Sequence, residues 1–336
     1  MTQGRVRKVV RSAGKFLGLI LVVALLGAAL AYPIADWMRV PMDERARAEL
    51  LRDGKAEKFV KTSLGTVHVR DSGPVDGPVV LLAHGGVIGG YAFDDWRKPI
   101  AAAGFRVIVP DFLGYGYSER PQIPYSKDFY VTQIDEILDQ LKIDKPVNII
   151  GASQGGGIVV AYAARHSDRI NSIGLMAPNG GGDPHVTNPV LLMPVIGDWV
   201  FRVVGPTVFR NMMSEANKNS PRHDALLEWM DEQSRYRGFG DGVLNSVRNT
   251  VTSKTLTWQP DALQAIGNSK RPVLAIWGTK DVVVPYVQSR EFQKRIPQLQ
   301  LVSLKDKGHA ITFGRAETVI ATIIPFLKSA NGIEAK

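Results

Sequence analysis

The chain has 336 residues, of which 45% are hydrophobic and 22% are charged, as is ordinary for a globular protein with a substantial buried core. Its formal net charge of +9 is concentrated at the start, because five basic residues and no acidic one lie within the first 15 positions. The remainder keeps only four of the nine excess positive charges, which gives no basis for nucleic-acid binding. The absence of cysteine excludes disulfides, a thiolate nucleophile and thiolate metal ligands.

The first segment, residues 1–37, is predicted to be directed to a membrane. Residues 16–31 carry no charged or strongly polar side chain and directly follow the basic cluster. This pattern fits an uncleaved anchor with its basic end in the cytoplasm. It also fits a cleaved signal peptide with a small-x-small pattern ending at Ala31. Because the apolar run extends to Trp37, we predict a single-pass anchor with the catalytic domain outside the cytoplasm; the alternative is a secreted or periplasmic protein cleaved near Ala31.

The body of the chain shows alternating strand and helix patterns. Residues 38–57 are predicted to form a charged helical spacer, and an antiparallel hairpin follows in residues 58–71. From residue 79 onward, short apolar runs alternate with segments of helical spacing. The predicted strands are residues 79–83, 105–109, 147–150, 170–176, 273–277 and 299–304, and the predicted helices are residues 93–103, 128–141, 154–165, 287–295 and 316–328.

Continuous apolar strands that alternate with helices predict an α/β fold with a mostly parallel sheet covered on both faces. The two parts of this core are residues 58–178 and 271–330. Between them, residues 179–270 look helical, notably at 224–236 and 241–251. An insertion after the sixth strand, at the C-terminal edge of the sheet, is expected to lie over the active site as a helical cap.

One stretch of the cap, residues 190–204, is unusually apolar and has two interpretations. The ordinary one is packing against the body. The functional one is a wall for an acyl chain or a surface that touches the bilayer, with Trp199 and Phe201 as substrate-binding residues.

The stretch around Ser153 predicts a strand, a sharp turn and a helix. Gly151 and Gly155 flank the serine in the pattern G-x-S-x-G, which is typical of a nucleophile elbow. Small residues are needed because the serine lies on a strained turn, where side chains two positions away would collide with neighbouring elements. A glycine-rich turn that contains serine by chance is the alternative, and the strand before it and the helix after it argue against chance.

A serine hydroxyl needs a base to take its proton and an acid to orient that base. Asp281 directly follows the strand pattern that ends at residue 277, and His309 lies just past the last predicted strand. The order Ser153, Asp281, His309 is the order expected of this fold. Two other acids are weaker candidates, since Asp306 lies only three residues from His309 and Asp183 opens the cap.

A glycine loop begins at His84, after the strand pattern of residues 79–83. Glycines allow a backbone N–H to approach the substrate oxygen closely, so this loop is expected to form an oxyanion hole together with the N–H of Gln154. The second donor is Gly86 or Val87, and the sequence leaves both open. His84 itself is expected to brace the backbone rather than to transfer protons.

With these motifs the chain resembles serine hydrolases of the α/β-hydrolase superfamily over residues 58–328. It is most similar to capped bacterial esterases, to monoacylglycerol-lipase-like enzymes with an N-terminal anchor and to the meta-cleavage-product C–C bond hydrolases of aromatic degradation. Val87 departs from the Gly or Pro common after His-Gly-x in those groups, and the serine at position 153 argues against the aspartate-dependent epoxide hydrolases and haloalkane dehalogenases. The motifs that carry the resemblance are residues 84–86, 111–118, 151–156, 278–285 and 308–309.

The leading functional hypothesis is hydrolysis of a hydrophobic or lipid-like carboxylic ester through an acyl-enzyme. C–C bond hydrolysis of a vinylogous diketone and cofactor-free perhydrolysis are alternatives that use the same residues. A catalytically silent, membrane-tethered binding protein is the non-enzymatic alternative; it predicts a missing catalytic residue, and none is missing. The expected partners are a small hydrophobic ester and the membrane, with no nucleic acid, no metal and no other cofactor.

Overall fold

The structure, a computed structural model, describes residues 3–182, 192–252, 254–313 and 316–334. Asp183 and the first residues of the apolar cap stretch lie outside the described residues.

Within the described residues, eight strands form one sheet in the order β1-β2-β4-β3-β5-β6-β7-β8. The strands β1, β2 and β4 pair in an antiparallel manner, and all pairs from β4 through β3 to β8 are parallel. The α/β fold predicted from the sequence, with a mostly parallel sheet and an N-terminal hairpin, is therefore confirmed. The strands are β1 (Lys58–Thr62), β2 (Gly65–Ser72), β3 (Val79–Ala83), β4 (Arg106–Pro110), β5 (Val147–Ala152), β6 (Ile170–Met176), β7 (Val273–Gly278) and β8 (Leu299–Leu304).

The helices lie before the sheet, between its strands and in one long insertion after β6. They are α1 (Gln3–Trp37), α2 (Glu44–Arg52), α3 (Asp94–Ala102), α4 (Lys127–Gln140), α5 (Gln154–Arg165), α6 (Ile196–Val203), α7 (Gly205–Ala216), α8 (His223–Ser234), α9 (Phe239–Ser246), α10 (Lys254–Thr257), α11 (Pro260–Ser269), α12 (Ser289–Arg295) and α13 (Ala316–Ala330).

The central strands β5 and β7 are buried along their whole length, which explains why they are continuous apolar runs rather than alternating ones. The covering helices form two contacting groups, α3 with α13, and α5 with α4 and α11. These groups cover the sheet as its apolar strands require. The core of the protein therefore consists of the strand side chains and the inner faces of these helices.

The helical cap predicted after the sixth strand is confirmed. It comprises α6 to α9, which contact one another, and a π-helical turn at Val247–Val251 that continues α9. Helix α11 falls inside the segment predicted as cap, but it packs against α5 and α12 beside the sheet.

The N-terminal segment forms the 35-residue helix α1, and its part Ala13–Trp37 is long and apolar enough to cross a membrane by length and composition. The residues after it pack on the body. Val40 accepts a hydrogen bond from the N–H of Arg237 at 2.8 Å, and Asp43 begins α2 by accepting one from Ala46 at 2.9 Å. The predicted spacer is thus attached to the cap.

A buried carboxylate joins the hairpin to two loops at the C-terminal edge of the sheet. Asp111, directly after β4, is fully buried and accepts hydrogen bonds from His68 at 2.8 Å, Arg70 at 3.0 Å, and the N–H groups of Gly90 at 2.7 Å and Tyr117 at 3.1 Å. Burial raises the pKa of Asp111, but the charge of Arg70 and the hydrogen bond from His68 outweigh it and hold that pKa well below its usual range. The loops after β3 and β4 are thereby fixed to β2.

We expect Asp111→Ala to lower the free energy of unfolding by about 3–5 kcal/mol, because buried Arg70 would keep only Asp94 as a counter-ion, at 3.3 Å, and His68 and two backbone N–H groups would lose their acceptor. Urea unfolding at pH 7 measures the change. The matched control is Lys58→Ala on the same hairpin: its half-exposed ammonium pairs with Asp71 at 3.1 Å, Asp71 keeps Arg106, and the loss is expected to cost about 1 kcal/mol or less. Equal losses in the two variants would contradict the assigned role of Asp111.

Candidate active site

Ser153 lies on a strained turn between β5 and α5. Its φ of 52° and ψ of −117° are unfavourable for a residue with a side chain and persist only where the surroundings fix them. A Cβ on Gly155 would lie 2.1 Å from the carbonyl oxygen of Ala83, and one on Gly151 would lie 2.4 Å from that of Gly155. Both positions flanking the serine therefore require glycine, and the sequence motif is explained by backbone contact.

The structure brings together Ser153, Asp281 and His309. The Oγ of Ser153 lies 3.0 Å from Nε2 of His309, and Nδ1 of His309 lies 2.7 Å from Oδ2 of Asp281. The other carboxylate oxygen of Asp281 accepts the N–H groups of Val283 and Val284, both at 2.9 Å. Because Asp281 accepts the Nδ1 proton, Nε2 is free to accept the proton of the serine.

The loops that carry the acid and the base are bonded to each other. The N–H of Lys280 donates to the carbonyl of Lys307 at 2.8 Å, and the N–H of Asp306 donates to the hydroxyl of Thr279 at 2.9 Å. The carboxylate of Asp306 pairs with the exposed ammonium of Lys280 at 2.8 Å. The histidine contacts Asp281 and not this second acid. Among the described residues, no group of three or more acids and histidines could hold a metal ion.

The predicted oxyanion-hole residues lie side by side. Gln154 is the first residue of α5, where backbone N–H groups have no partner within the helix. A Cβ on Gly86 would lie 3.3 Å from the side-chain oxygen of Gln154, so the glycine loop approaches the helix closely. Val87 has a φ of 74°, which is the left-handed region that its branched side chain disfavours. The choice between Gly86 and Val87 as second donor stays a prediction.

The side chain of Gln154 is held by the cap. Its Nε2 donates to Thr250 at 3.2 Å and to Ser246, and its Oε1 accepts a hydrogen bond from Tyr115 at 3.4 Å. Burial raises the pKa of Tyr115 to about 12, so this phenol remains a donor. Sequence reasoning missed Ser246 and Thr250, which belong to no motif and lie more than 90 positions from Gln154 along the chain.

Helix α8 of the cap and the residue before it contact the glycine loop and the loop after His309. The indole N–H of Trp229 donates to the carbonyl of Ile88, next to Val87, at 2.8 Å, and its ring stacks on Tyr91 at 4.7 Å. The guanidinium of Arg222 lies over the rings of Tyr91 at 4.8 Å and of Phe313 at 5.2 Å. Since Phe313 follows His309 by four residues, the cap touches both the glycine loop and the loop that carries His309.

Trp199 and Phe201, predicted to bind substrate, make contacts on the outer side of the cap. The indole N–H of Trp199 donates to the carbonyl of Ala28 in α1 at 2.6 Å. Phe201 is buried, and its ring lies 5.3 Å from that of Phe209 in α7. These contacts are with α1 and α7, and a role for either residue in substrate binding stays a prediction.

His84 has the bracing role expected from the sequence. Its Nε2 accepts the N–H of Phe112 at 2.8 Å, so its Nδ1 carries the proton and donates to the carbonyl of Gly85 at 2.7 Å. Burial lowers the pKa of His84 to about 4. The neutral ring therefore links the loop after β3 to the loop after β4.

The depressed pKa of His84 predicts a loss of stability in acid. Between its ordinary pKa of 6.5 and about 4, the unfolded state binds a proton that the folded state does not, so the free energy of unfolding falls as the pH drops through this range. From pH 7 to pH 5 the loss is about 2 kcal/mol from this residue alone. Urea unfolding of the wild type and of His84→Gln at pH 7 and pH 5 isolates the contribution of His84 to the change in the free energy of unfolding. An equal pH dependence in both proteins would contradict it.

The fold and the site define the class of protein. A model of the alpha/beta hydrolase fold family matches residues 78–316, which is more than half of the chain. The chain therefore belongs to the α/β-hydrolase fold family, and it is a hydrolase of that superfamily.

Among curated relatives, a 2-hydroxymuconate semialdehyde hydrolase from Pseudomonas sp. (strain CF600) is 28% identical over 267 residues, which cover 79% of this chain and 91% of the relative. A 2-hydroxy-6-oxo-6-phenylhexa-2,4-dienoate hydrolase from Burkholderia cepacia is 26% identical over 277 residues, which cover 79% of this chain and 92% of that relative. Both names describe hydrolases of unsaturated oxo compounds.

Among solved structures, an enol-lactonase from Burkholderia xenovorans LB400 has a TM-score of 0.68 at 23% identity, covering 81% of this chain and 100% of its own. A membrane phospholipase A, described as a bacterial virulence factor, has a TM-score of 0.65 at 19% identity, covering 95% of this chain and 99% of its own. At these identities the likeness is one of fold.

Proposed function

We propose that the protein hydrolyses carboxylic esters with hydrophobic, lipid-like groups. The observation that carries the proposal is a pair of hydrogen bonds through one histidine. Nε2 of His309 lies 3.0 Å from Oγ of Ser153, and Nδ1 of His309 lies 2.7 Å from Oδ2 of Asp281. In the first half-reaction, Nε2 of His309 takes the proton of Ser153 while Oγ attacks the ester carbonyl carbon, and Asp281 stabilises the imidazolium. The N–H of Gln154, with that of Gly86 or Val87, stabilises the oxyanion.

The rest of the cycle returns the enzyme to its starting state. His309 gives its proton to the leaving alcohol as the ester C–O bond breaks, which leaves the acyl group on Ser153. Water then attacks this acyl-enzyme while His309 takes one of its protons. Collapse of the second oxyanion releases the carboxylic acid, and the proton returns from His309 to Ser153.

The preference for hydrophobic esters is supported by the N-terminal segment. The part Ala13–Trp37 of helix α1 has the length and apolar character of a membrane span, and the N-terminal part of the same helix carries the basic cluster, as in an anchor whose basic end stays in the cytoplasm. Its contacts with the cap include one that cleavage near Ala31 would remove, since the indole N–H of Trp199 donates to the carbonyl of Ala28 at 2.6 Å. We therefore propose an uncleaved anchor with the catalytic domain outside the cytoplasm, where it meets lipid-soluble substrates.

A second candidate function is C–C bond hydrolysis, which the names of the two curated relatives favour. The same residues could perform it on a vinylogous diketone. The bond that breaks would then join the attacked carbonyl carbon to a carbon that leaves as a stabilised carbanion and takes up a proton. Those relatives share 26–28% identity with this chain over about four fifths of its length. At this identity the choice between ester and C–C bond hydrolysis is decided by experiment.

The two candidates are separated by turnover of the full chain in detergent on p-nitrophenyl esters of increasing acyl length, a monoacylglycerol and a ring-cleavage diketone. We expect ester turnover with an optimum at long acyl chains, abolished by Ser153→Ala because the nucleophile is lost. The matched control, Ser329→Ala, changes an exposed serine of α13 and is expected to leave turnover unchanged. Turnover of the diketone alone would establish C–C hydrolysis instead, and no turnover of any substrate would favour a binding protein.

A pair of aspartate variants tests the assignment of the acid. We expect Asp281→Asn to reduce kcat by roughly 10³–10⁴-fold, because His309 would lose the acceptor that fixes its Nδ1 proton. Asp306→Asn, whose carboxylate pairs with exposed Lys280, is expected to reduce kcat by less than about twofold. Steady-state kinetics on the best ester measures both variants. A larger loss in Asp306→Asn than in Asp281→Asn would reverse the assignment.

A further inference from the structure

We propose that one face of the cap rests on the lipid leaflet from which α1 emerges, so that the bilayer surface covers this face. The proposal rests on the proposed role of α1 as a membrane anchor, and it adds a second, cap-mediated contact with the lipid. The face, called here the docking face, consists of exposed apolar residues on and just before α6 and along α7. Its residues are Met193, Val195, Ile196, Val204, Val208 and Met212.

The docking face exposes apolar side chains, whose contact with water is unfavourable. Val195 is 78% exposed and Val208 is 53% exposed, although both side chains are fully apolar. Val204, Val208 and Met212 follow one another at four-residue spacing, so they form one stripe along α7. Single exposed apolar residues are common, but several on two contacting helices, α6 and α7, indicate a contact surface for a protein or a membrane.

The docking face is continuous with α1. Helix α6, which carries Ile196, is the cap helix that contacts α1. The indole of Trp199 donates to the carbonyl of Ala28 at 2.6 Å, and the guanidinium of Arg202 lies 4.0 Å from the centre of the Tyr32 ring. Tryptophan and tyrosine favour the interface between the hydrocarbon and water, which is where these contacts join the cap to the anchor.

The position of this contact along α1 gives its depth in the bilayer. At 1.5 Å per residue, Ala28 lies about 22 Å and Tyr32 about 28 Å from Ala13, the first residue of the apolar span. The hydrocarbon layer is about 30 Å thick. Helix α6 therefore meets α1 within about 2–8 Å of the outer edge of the hydrocarbon. A cap held at that level has its adjoining apolar face against the leaflet.

The charges around the docking face suit this position. Asp198 pairs with Arg248 at 2.7 Å, and Glu215 at the end of α7 pairs with Lys218. Paired charges of this kind form a polar rim that can stay among the headgroups while the apolar side chains enter between them. Because α8 of the same cap bonds the oxyanion loop through Trp229, docking would hold the site beside the lipids that carry its substrates.

The absence of cysteine in this chain permits a clean labelling experiment. Single cysteines are introduced into the full chain at Val208 and Met212 of the docking face, at Leu21 of α1, and at Val75 as the control. Val75 is 74% exposed in the turn between β2 and β3, at the sheet edge opposite the cap. Each variant carries an environment-sensitive fluorophore and is reconstituted in phosphatidylcholine–phosphatidylglycerol vesicles that contain lipids spin-labelled either near the headgroup or deep in the acyl chain.

We expect the headgroup-proximal spin label to quench the fluorophores at positions 208 and 212 several-fold more than the one at position 75. The deep spin label is expected to quench the fluorophore at position 21. Quenching at position 21, with positions 208 and 212 no more quenched than position 75, would overturn the docking face and leave the anchor standing. No quenching at position 21 would overturn the anchor and the docking face together.

A second copy of the chain is the competing occupant of the docking face. It would shift the emission at positions 208 and 212 to the blue without quenching by either spin label, and this result would also overturn the proposal. Turnover of a soluble p-nitrophenyl ester in the same vesicles is measured separately. Loss of quenching with retained turnover, or the reverse, therefore distinguishes failure of the docking face from failure of the proposed ester hydrolysis.

Discussion

The buried carboxylate of Asp111 is the interaction on which the catalytic edge of the sheet depends. A buried charge is tolerated only when its partners are all in place, because the cost of removing it from water is offset by charge pairing and hydrogen bonding together. Two of its partners are N–H groups of the loops after β3 and β4, at Gly90 and Tyr117. These loops therefore have little freedom to move independently of β2, and the oxyanion loop is held in position before any substrate arrives.

Much of the fold was predictable because its signals are local. Short runs of four to seven mainly apolar residues separated by turn residues identify parallel strands, and the glycines around Ser153 identify the turn that a Cβ would block. Asp281 and His309 were predictable because chain order and strand ends locate them at the same sheet edge. Their catalytic roles are proposals that the observed geometry supports. Element ends differed slightly, as for the strand predicted at residues 105–109 and found at Arg106–Pro110.

The contacts between cap and body were not predictable, because they depend on packing between residues far apart in the chain. The bond between Gln154 and Thr250 spans 96 positions, and that between Ile88 and Trp229 spans 141. Helical periodicity identifies α8 but does not say which of its residues meets which loop. For the same reason, the sequence of the predicted spacer did not indicate the hydrogen bond between Val40 and Arg237. The sequence around Trp199 likewise did not indicate its contact with Ala28.

Ser153 and Val87 both have positive φ angles. Each conformation costs on the order of 1 kcal/mol or more and persists only because neighbouring groups fix it. For Ser153 the fixing bond comes from the sheet, where its N–H donates to the carbonyl of Met176 at 2.9 Å. For the loop of Val87 it comes from Trp229 in the cap. The turn of Ser153 is thus held by the sheet, whereas the glycine loop is held both by the core, through Gly90 and Asp111, and by the cap, through Ile88 and Trp229. A displacement of α8 that breaks the bond between Trp229 and Ile88 therefore removes one of the two supports of the glycine loop, so the position of the cap and the conformation of that loop are coupled.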